Sequence, residues 1–241
     1  MHQREKVADR GTMATKTPAP EHQGSEHQGS AADRVARPQA RTAAKREKIL
    51  DAAMTVFGSR GFNKGSLLEI AEYAGMTHAG VLHHFGSKNQ LLLAVLDHRD
   101  KVDVEHLEGQ VPPAGPAFLR HLAKTAEINT ARAGIVQAYA VLSAESVTDG
   151  HPAQEYFRLR FDGLRAMVAN AFRELAPADT PEEELLQTAA SVIAVMDGLQ
   201  VQWLLSPNTV NMPLAIDAVV DGLVAWLNRR VTPLAGRGDN L

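Results

Sequence analysis

The sequence predicts an all-α chain in two parts: an N-terminal three-helix unit that contains a helix-turn-helix, then a larger helical unit. Three observations predict this. Residues 66–88, SLLEIAEYAGMTHAGVLHHFGSK, read as two short helices around a tight turn. Apolar residues recur at spacings of three and four in segment after segment, with no period-two alternation of the kind a half-buried strand requires. Pro and Gly clusters separate those segments.

Residues 1–40 hold Pro, Gly, Ser, Gln and mixed charge, few large apolar residues, and a tandem EHQGS-EHQGS at 21–30, so a disordered arm is expected there. His22 and His27 lie on that repeat; two isolated histidines on a floppy segment fit sequence drift better than a metal site. Met13 is a second candidate start. Residues 43–60 then form an amphipathic helix with Ile49, Ala52, Ala53, Val56 and Phe57 on one face, followed by Gly61-Phe62. Ser66 is suited to cap a second helix carrying Leu67, Ile70, Ala71 and Ala74. Gly75 stands where a helix end takes a left-handed residue. Thr77 can cap the next helix, with Val81, Leu82 and Phe85 inward, until Gly86-Ser87 ends it and Ser87 caps a fourth helix running from 88 to about 108. Gln110 to Pro116 is a loop. Helical segments follow at about 116–131, 133–148, 152–175, 181–205 and 213–230, punctuated by Gly150-His151-Pro152, Pro177, Pro181, Pro207 and Pro213. The expected domains are an arm at 1–40, the helix-turn-helix unit at 41–99, a helical domain at 100–232 and a flexible tail at 233–241.

The chain has 241 residues and a net charge of -3, and 44% of it is hydrophobic, enough for a real core. It has no cysteine, which excludes disulfides, thiolate zinc sites and cysteine nucleophiles. No apolar run approaches the ~18 residues of a membrane span, and no signal-peptide core opens the chain, so a cytoplasmic protein without a membrane partner is expected. Charge is uneven. Residues 41–99 carry eight Lys/Arg against five acids, while the later part is strongly acidic. Solvated helix faces account for the acidic part, but not for a basic excess that coincides with the helix-turn-helix, the motif whose second helix enters the DNA major groove.

The text ILDAAMTVFGSRGF, followed by LLEIAEYAGMTHAGVLHHFGSKNQLL, resembles the TetR/AcrR family of transcriptional regulators over about 50 near-continuous residues. The resemblance implies DNA contacts from Arg46, Ser66, Thr77, His78, Ala79, Gly80, His83, His84 and Lys88. His78 is the candidate for a base edge; Ala79 and Gly80 would let backbone approach the groove; Thr77, His84 and Lys88 would hold phosphates. Arg34, Arg37 and Arg41 lead into the first helix and either touch DNA or form part of a solvated linker. Many family members have a Tyr where Leu82 stands, so one phosphate contact is missing. Adjacent helical side chains point about 100° apart, so His83 and His84 are poorly placed to share a metal or an acid-base site.

In the C-terminal part, Leu185, Ala189, Val192, Met196, Leu199 and Trp203 make a coiled-coil-like stripe, and Ile216, Val219, Val220, Leu223, Val224 and Leu227 a second apolar face. The bland alternative is intrachain core, but one helix face can pack inside while another meets a partner. The family's homodimers form a four-helix bundle here, which implies an interface including Val192, Met196, Gly198, Leu199, Val220, Leu223 and Leu227. A mid-helix Gly costs ~1 kcal/mol against Ala, which close helix approach at Gly198 would offset. The family also implies a pocket for an unidentified small-molecule effector. Polar or aromatic residues on apolar faces are the candidates: His121, Asn129, Tyr139, Glu145, Arg165, Gln200 and Trp203. The implied function is repression, with a dimer released from a palindromic double-stranded DNA operator by the effector. An activator or global DNA binder without a switch fits the same motif. No phosphate loop, nucleophile motif or His-x-x-x-His pair supports an enzyme or a cofactor.

Overall fold

A computed structural model of the chain describes residues 31–105 and 113–229, with side chains from 40–101 and 113–229. The EHQGS repeat with its two histidines, residues 110–112 of the 110–116 loop and the 233–241 tail lie outside the described residues. The described chain is helical throughout: α1 (Ala31–Lys64), α2 (Leu67–Ala74), α3 (His78–Phe85), α4 (Lys88–Glu105), α5 (Pro116–Asn129), α6 (Ala133–Glu145), α7 (Gln154–Arg173), α8 (Glu182–Leu205) and α9 (Met212–Asn228).

The expected cap residues set the boundaries around the turn. Ser66 Oγ accepts from Glu69 N at 3.1 Å, Thr77 Oγ1 accepts from Gly80 N at 3.1 Å, and Ser87 Oγ accepts from Gln90 N at 3.1 Å. Gly75 ends α2 in the left-handed region at φ 64°. Helix α1 departs from expectation at its start: it begins at Ala31, inside the segment whose composition suggested disorder. The helix end expected at 60 is a backbone break rather than a terminus: Gly61 takes φ 74° and ψ 172° inside α1, which runs on to Lys64.

Two apolar cores hold the chain. The first gathers Ile49, Val56 and Phe57 of α1, Ile70 of α2, Val81 of α3 and Leu91, Leu92 and Leu96 of α4. It does not stop at the expected 99/100 boundary, because Tyr139 and Leu142 of α6 and Phe157 of α7 belong to it. The second joins Phe118 and Leu122 of α5, Phe172 of α7, Leu185, Val192 and Trp203 of α8 and Ile216 and Leu227 of α9. Helix α8 is long and apolar enough to cross a membrane by length and composition, contrary to the sequence reading. Yet Leu185, Ala189 and Val192 are packed inside the chain at 1% exposure or less.

The expected association stripe therefore turns largely inward. Val192 and Leu227 are buried in their own core, a correction to their placement at a partner surface, while Met196, Leu199, Val220 and Leu223 are half-buried against that core. Gly198 is exposed, with nothing near where a Cβ would point.

Gly61 and Gly75 differ in a testable way. A Cβ on Gly61 would overlap the Glu145 carboxylate, whereas one on Gly75 meets open space. Gly75→Ala is expected to cost only the left-handed strain of about 1–2 kcal/mol. Gly61→Ala is expected to cost visibly more in denaturant unfolding; equal losses would show that the Glu145 contact contributes nothing.

Candidate nucleic-acid interface and internal cavity

Helix α3 presents one face to solvent. Thr77, His78, Ala79 and His83 are exposed, Gly80 and Leu82 are half-buried, and Val81 and Phe85 point into the first core. The Ser66 and Thr77 hydroxyls accept cap hydrogen bonds, which leaves each hydroxyl proton free to donate outward. His83 and His84 meet edge to face with ring centres 5.8 Å apart. Partial burial, helped by the charges of His83, Lys45 and Arg46, pulls the His84 pKa below its usual value, which favours the neutral ring with one N–H.

Two of the expected DNA contacts have intramolecular tasks. Arg46 lies over the Phe85 ring at 4.1 Å and donates Nη1 to the His84 carbonyl at 3.1 Å, clamping the end of α3 to α1. Lys88 places its ammonium 4.4 Å over the Phe62 ring and 3.4 Å from the Asn63 carbonyl. Burial lowers its pKa, against an opposing pull from Glu145. Lys88 is thus turned toward the α1 terminus rather than displayed as a free surface cation.

A cavity of about 250 Å³ opens between α4, α5, α6, α7 and α8. Of the expected pocket residues, His121, Asn129, Tyr139 and Gln200 line it. Three do not. Trp203 is buried in the second core, Arg165 pairs with Asp162 on the α7 surface, and Glu145 faces α1. The sequence reading missed four charged lining residues, Arg99, Asp100, Arg160 and Asp197. Asp100 is their hub. Arg99 donates to it at 3.1 Å, Arg160 at 2.7 Å, and the Tyr156 hydroxyl at 2.5 Å. Both guanidiniums flank the Tyr139 ring, at 4.4 Å and 5.4 Å. Burial works against the Arg160 charge, but Tyr139, Asp100 and Tyr156 outweigh it and raise its pKa. Burial, then the Asp100 bond, pushes the Tyr156 phenol far above its ordinary value.

Comparison with known proteins gives matches over both parts of the chain. The family described as bacterial regulatory proteins, tetR family, matches residues 49–95, and the BetI-type transcriptional repressor C-terminal family matches residues 129–228. The HTH-type transcriptional regulator TtgR of Pseudomonas putida is 28% identical over 193 residues, covering 73% of this chain and 88% of its own. BetI of Rhizobium meliloti is 27% identical over 186 residues, covering 73% and 84%. Among solved structures, a transcriptional regulator from Rhodococcus sp. superposes with a TM-score of 0.60 at 21% identity, covering 76% of this chain and 95% of its own. NalD, the secondary repressor of the MexAB-OprM multidrug efflux pump in Pseudomonas aeruginosa, gives 0.57 at 19% identity, covering 79% and 100%. At those identities the structures show the shared fold.

Asp197 yields a pH prediction. Burial raises its pKa to about 6 from 3.8, against the pull of Arg160 and Arg99. With the folded value above the unfolded one, the folded chain binds more protons between about pH 4 and 6, so this group's contribution to stability falls as pH rises through that window. Asp197→Asn should therefore gain stability over wild type across the window and keep the gain at pH 7, on the order of 2 kcal/mol. A stability difference that does not change between pH 4 and 6 would place the carboxylate in water-like surroundings.

Proposed function

The chain belongs to the tetR family of bacterial regulatory proteins, which are DNA-binding transcriptional regulators, and on that premise we propose that it is a homodimeric repressor released from a palindromic operator by a small molecule. The observation that carries this reading is the exposed face of α3, a short helix capped at both ends and fixed to a core that also includes α6 and α7. His78, at the start of that face, reads a base edge. Ala79 and Gly80 allow close backbone approach to the groove, and the Ser66 and Thr77 hydroxyls donate to phosphates without reading sequence. His83 and His84 flank the backbone where the Leu82 side chain offers no polar contact. Lys88 reaches a phosphate only by leaving the Phe62 ring.

The homodimer would use the outer faces of α8 and α9. Gly198 and Val201 on α8, and Ala218 and Gly222 on α9, are exposed, and neither glycine has an atom within 4 Å of a would-be Cβ. Small residues on two adjacent helices let a second pair approach closely, and the half-buried Met196, Leu199, Val220 and Leu223 border the contact. A two-fold dimer then sets two α3 helices into successive major grooves of a pseudo-palindrome. The cavity would hold the effector, which favours a state with the two heads wrongly spaced.

Purified protein titrated onto DNA from upstream of its own gene, against a scrambled duplex at two salt concentrations, should bind specifically at ~10^-8 to 10^-11 M with a steep salt dependence. His78→Ala should narrow the gap between specific and scrambled DNA by ~1–3 kcal/mol. Equal weak binding by wild type to specific and scrambled duplexes, across candidate operators, would overturn the regulator mechanism. Gly198→Leu should give monomer by native mass spectrometry; an undisturbed dimer would exclude the α8 face from the interface.

A further inference from the structure

Two polar groups in the cavity wall make no hydrogen bond among the described residues, although the charges of Arg160 and Arg99 act on one of them, Asp197. Asp197 lines the cavity, and among the described residues no hydrogen bond or ion pair engages it. Gln200, three residues on along α8, is 8% exposed and lines the same cavity, and its amide likewise makes no hydrogen bond among the described residues. Asp100, by contrast, receives donors from Arg99, Arg160 and Tyr156. Both arginines direct an Nη1 at Asp100 and lie against Tyr139, so their charge is turned toward a carboxylate already in place. His121 faces the same space, and burial lowers its pKa, which favours the uncharged ring. The rest of the wall is largely apolar, including Phe118, Leu122, Leu164, Ile193 and Met196.

A carboxylate half-withdrawn from water without donors is unfavourable, and a largely buried amide gains by a partner. Both deficits are met by one kind of guest: an apolar body that brings N–H donors on a positive charge. Arg160 Nε is buried without an acceptor among the described residues, so an anion could reach one donor, but it would compete with Asp100 for the Nη1 groups and leave Asp197 without a donor. Resting on the proposed effector site, we infer that the cavity binds a protonated organic amine. Its ammonium donates to the Asp197 carboxylate and to the Gln200 amide oxygen, and its apolar body packs on the α5 and α8 side chains. A primary ammonium has three N–H groups, enough for both acceptors.

Calorimetric titration of the full chain with octylammonium, octanol and octanoate separates the possibilities, since the three probes share a tail and differ in the head group. Octylammonium should bind at least about tenfold more tightly than octanol, with octanoate weakest. Asp197→Asn should bring octylammonium down to the affinity of octanol. If octanol or octanoate binds wild type as well as the amine or better, the amine inference is overturned while the effector cavity stands. If none of the three binds, the cavity is not an effector site and both readings fall. The three probes on wild type decide the matter even if the variant fails to fold.

Discussion

The hydrogen bond from the Phe62 N–H to the Glu145 carboxylate, at 2.6 Å, ties the helix-turn-helix to the rest of the chain. It requires the backbone of α1 to break at Gly61, since a left-handed residue with a side chain would run into that carboxylate. Once Phe62 is fixed, its ring becomes the centre of the junction. Phe57 lies 5.7 Å away, His151 meets it edge-on at 5.2 Å, and the Lys88 ammonium sits over it at 4.4 Å. Lys88 opens α4, so the contact that anchors the end of α1 also locates the start of the helix leading away from the recognition unit. His151 Nε2 stands 3.9 Å from the same Glu145 carboxylate, and burial lowers the ring's pKa against the pull of that charge.

The local punctuation of the recognition unit was legible because it is written in short-range chemistry. Ser66, Thr77 and Ser87 cap helices by bonding to backbone three residues on, and Gly75 supplies a backbone conformation few other residues adopt. Such signals need no knowledge of the tertiary fold. The start of α1 was not legible, because composition speaks to whether a segment can bury apolar surface and not to whether a helix continues into it. The direction of the α8 stripe was not legible either. Leu185, Ala189 and Val192 repeat at a spacing that suits any helix packed on one side, whether the neighbour belongs to the same chain or to a partner.

The cavity was half legible for a different reason. His121, Asn129, Tyr139 and Gln200 stood out as polar or aromatic groups on apolar faces, and the fold brings them together. Trp203 stood out in the same way and went to the core. Arg99, Asp100 and Arg160 sit in charge-rich stretches of α4 and α7 and look like solvated surface until α6 and α7 are packed against α4. Asp197 did leave a trace, as the charge that interrupts the apolar run of α8 beside Gly198. The same two-residue interruption serves two faces: Asp197 turns into the cavity and Gly198 turns outward.

That arrangement bears on how a small guest would influence DNA binding. Tyr139 lines the cavity and belongs to the core that holds the recognition unit, and α6 ends at Glu145. A displacement of α6 by a ligand would act on the Phe62 junction through one continuous helix, with no loop in between. A ligand can shift an equilibrium only by its differential affinity for the two states, and allosteric coupling is usually ~1–3 kcal/mol. A hydrogen bond to a charged group has a net value of ~1.5–3 kcal/mol. The Glu145 bond alone is therefore of the right size to carry such a coupling. If it is kept in one state and lost in the other, a coupling of about 10- to 150-fold follows without any larger rearrangement of either core.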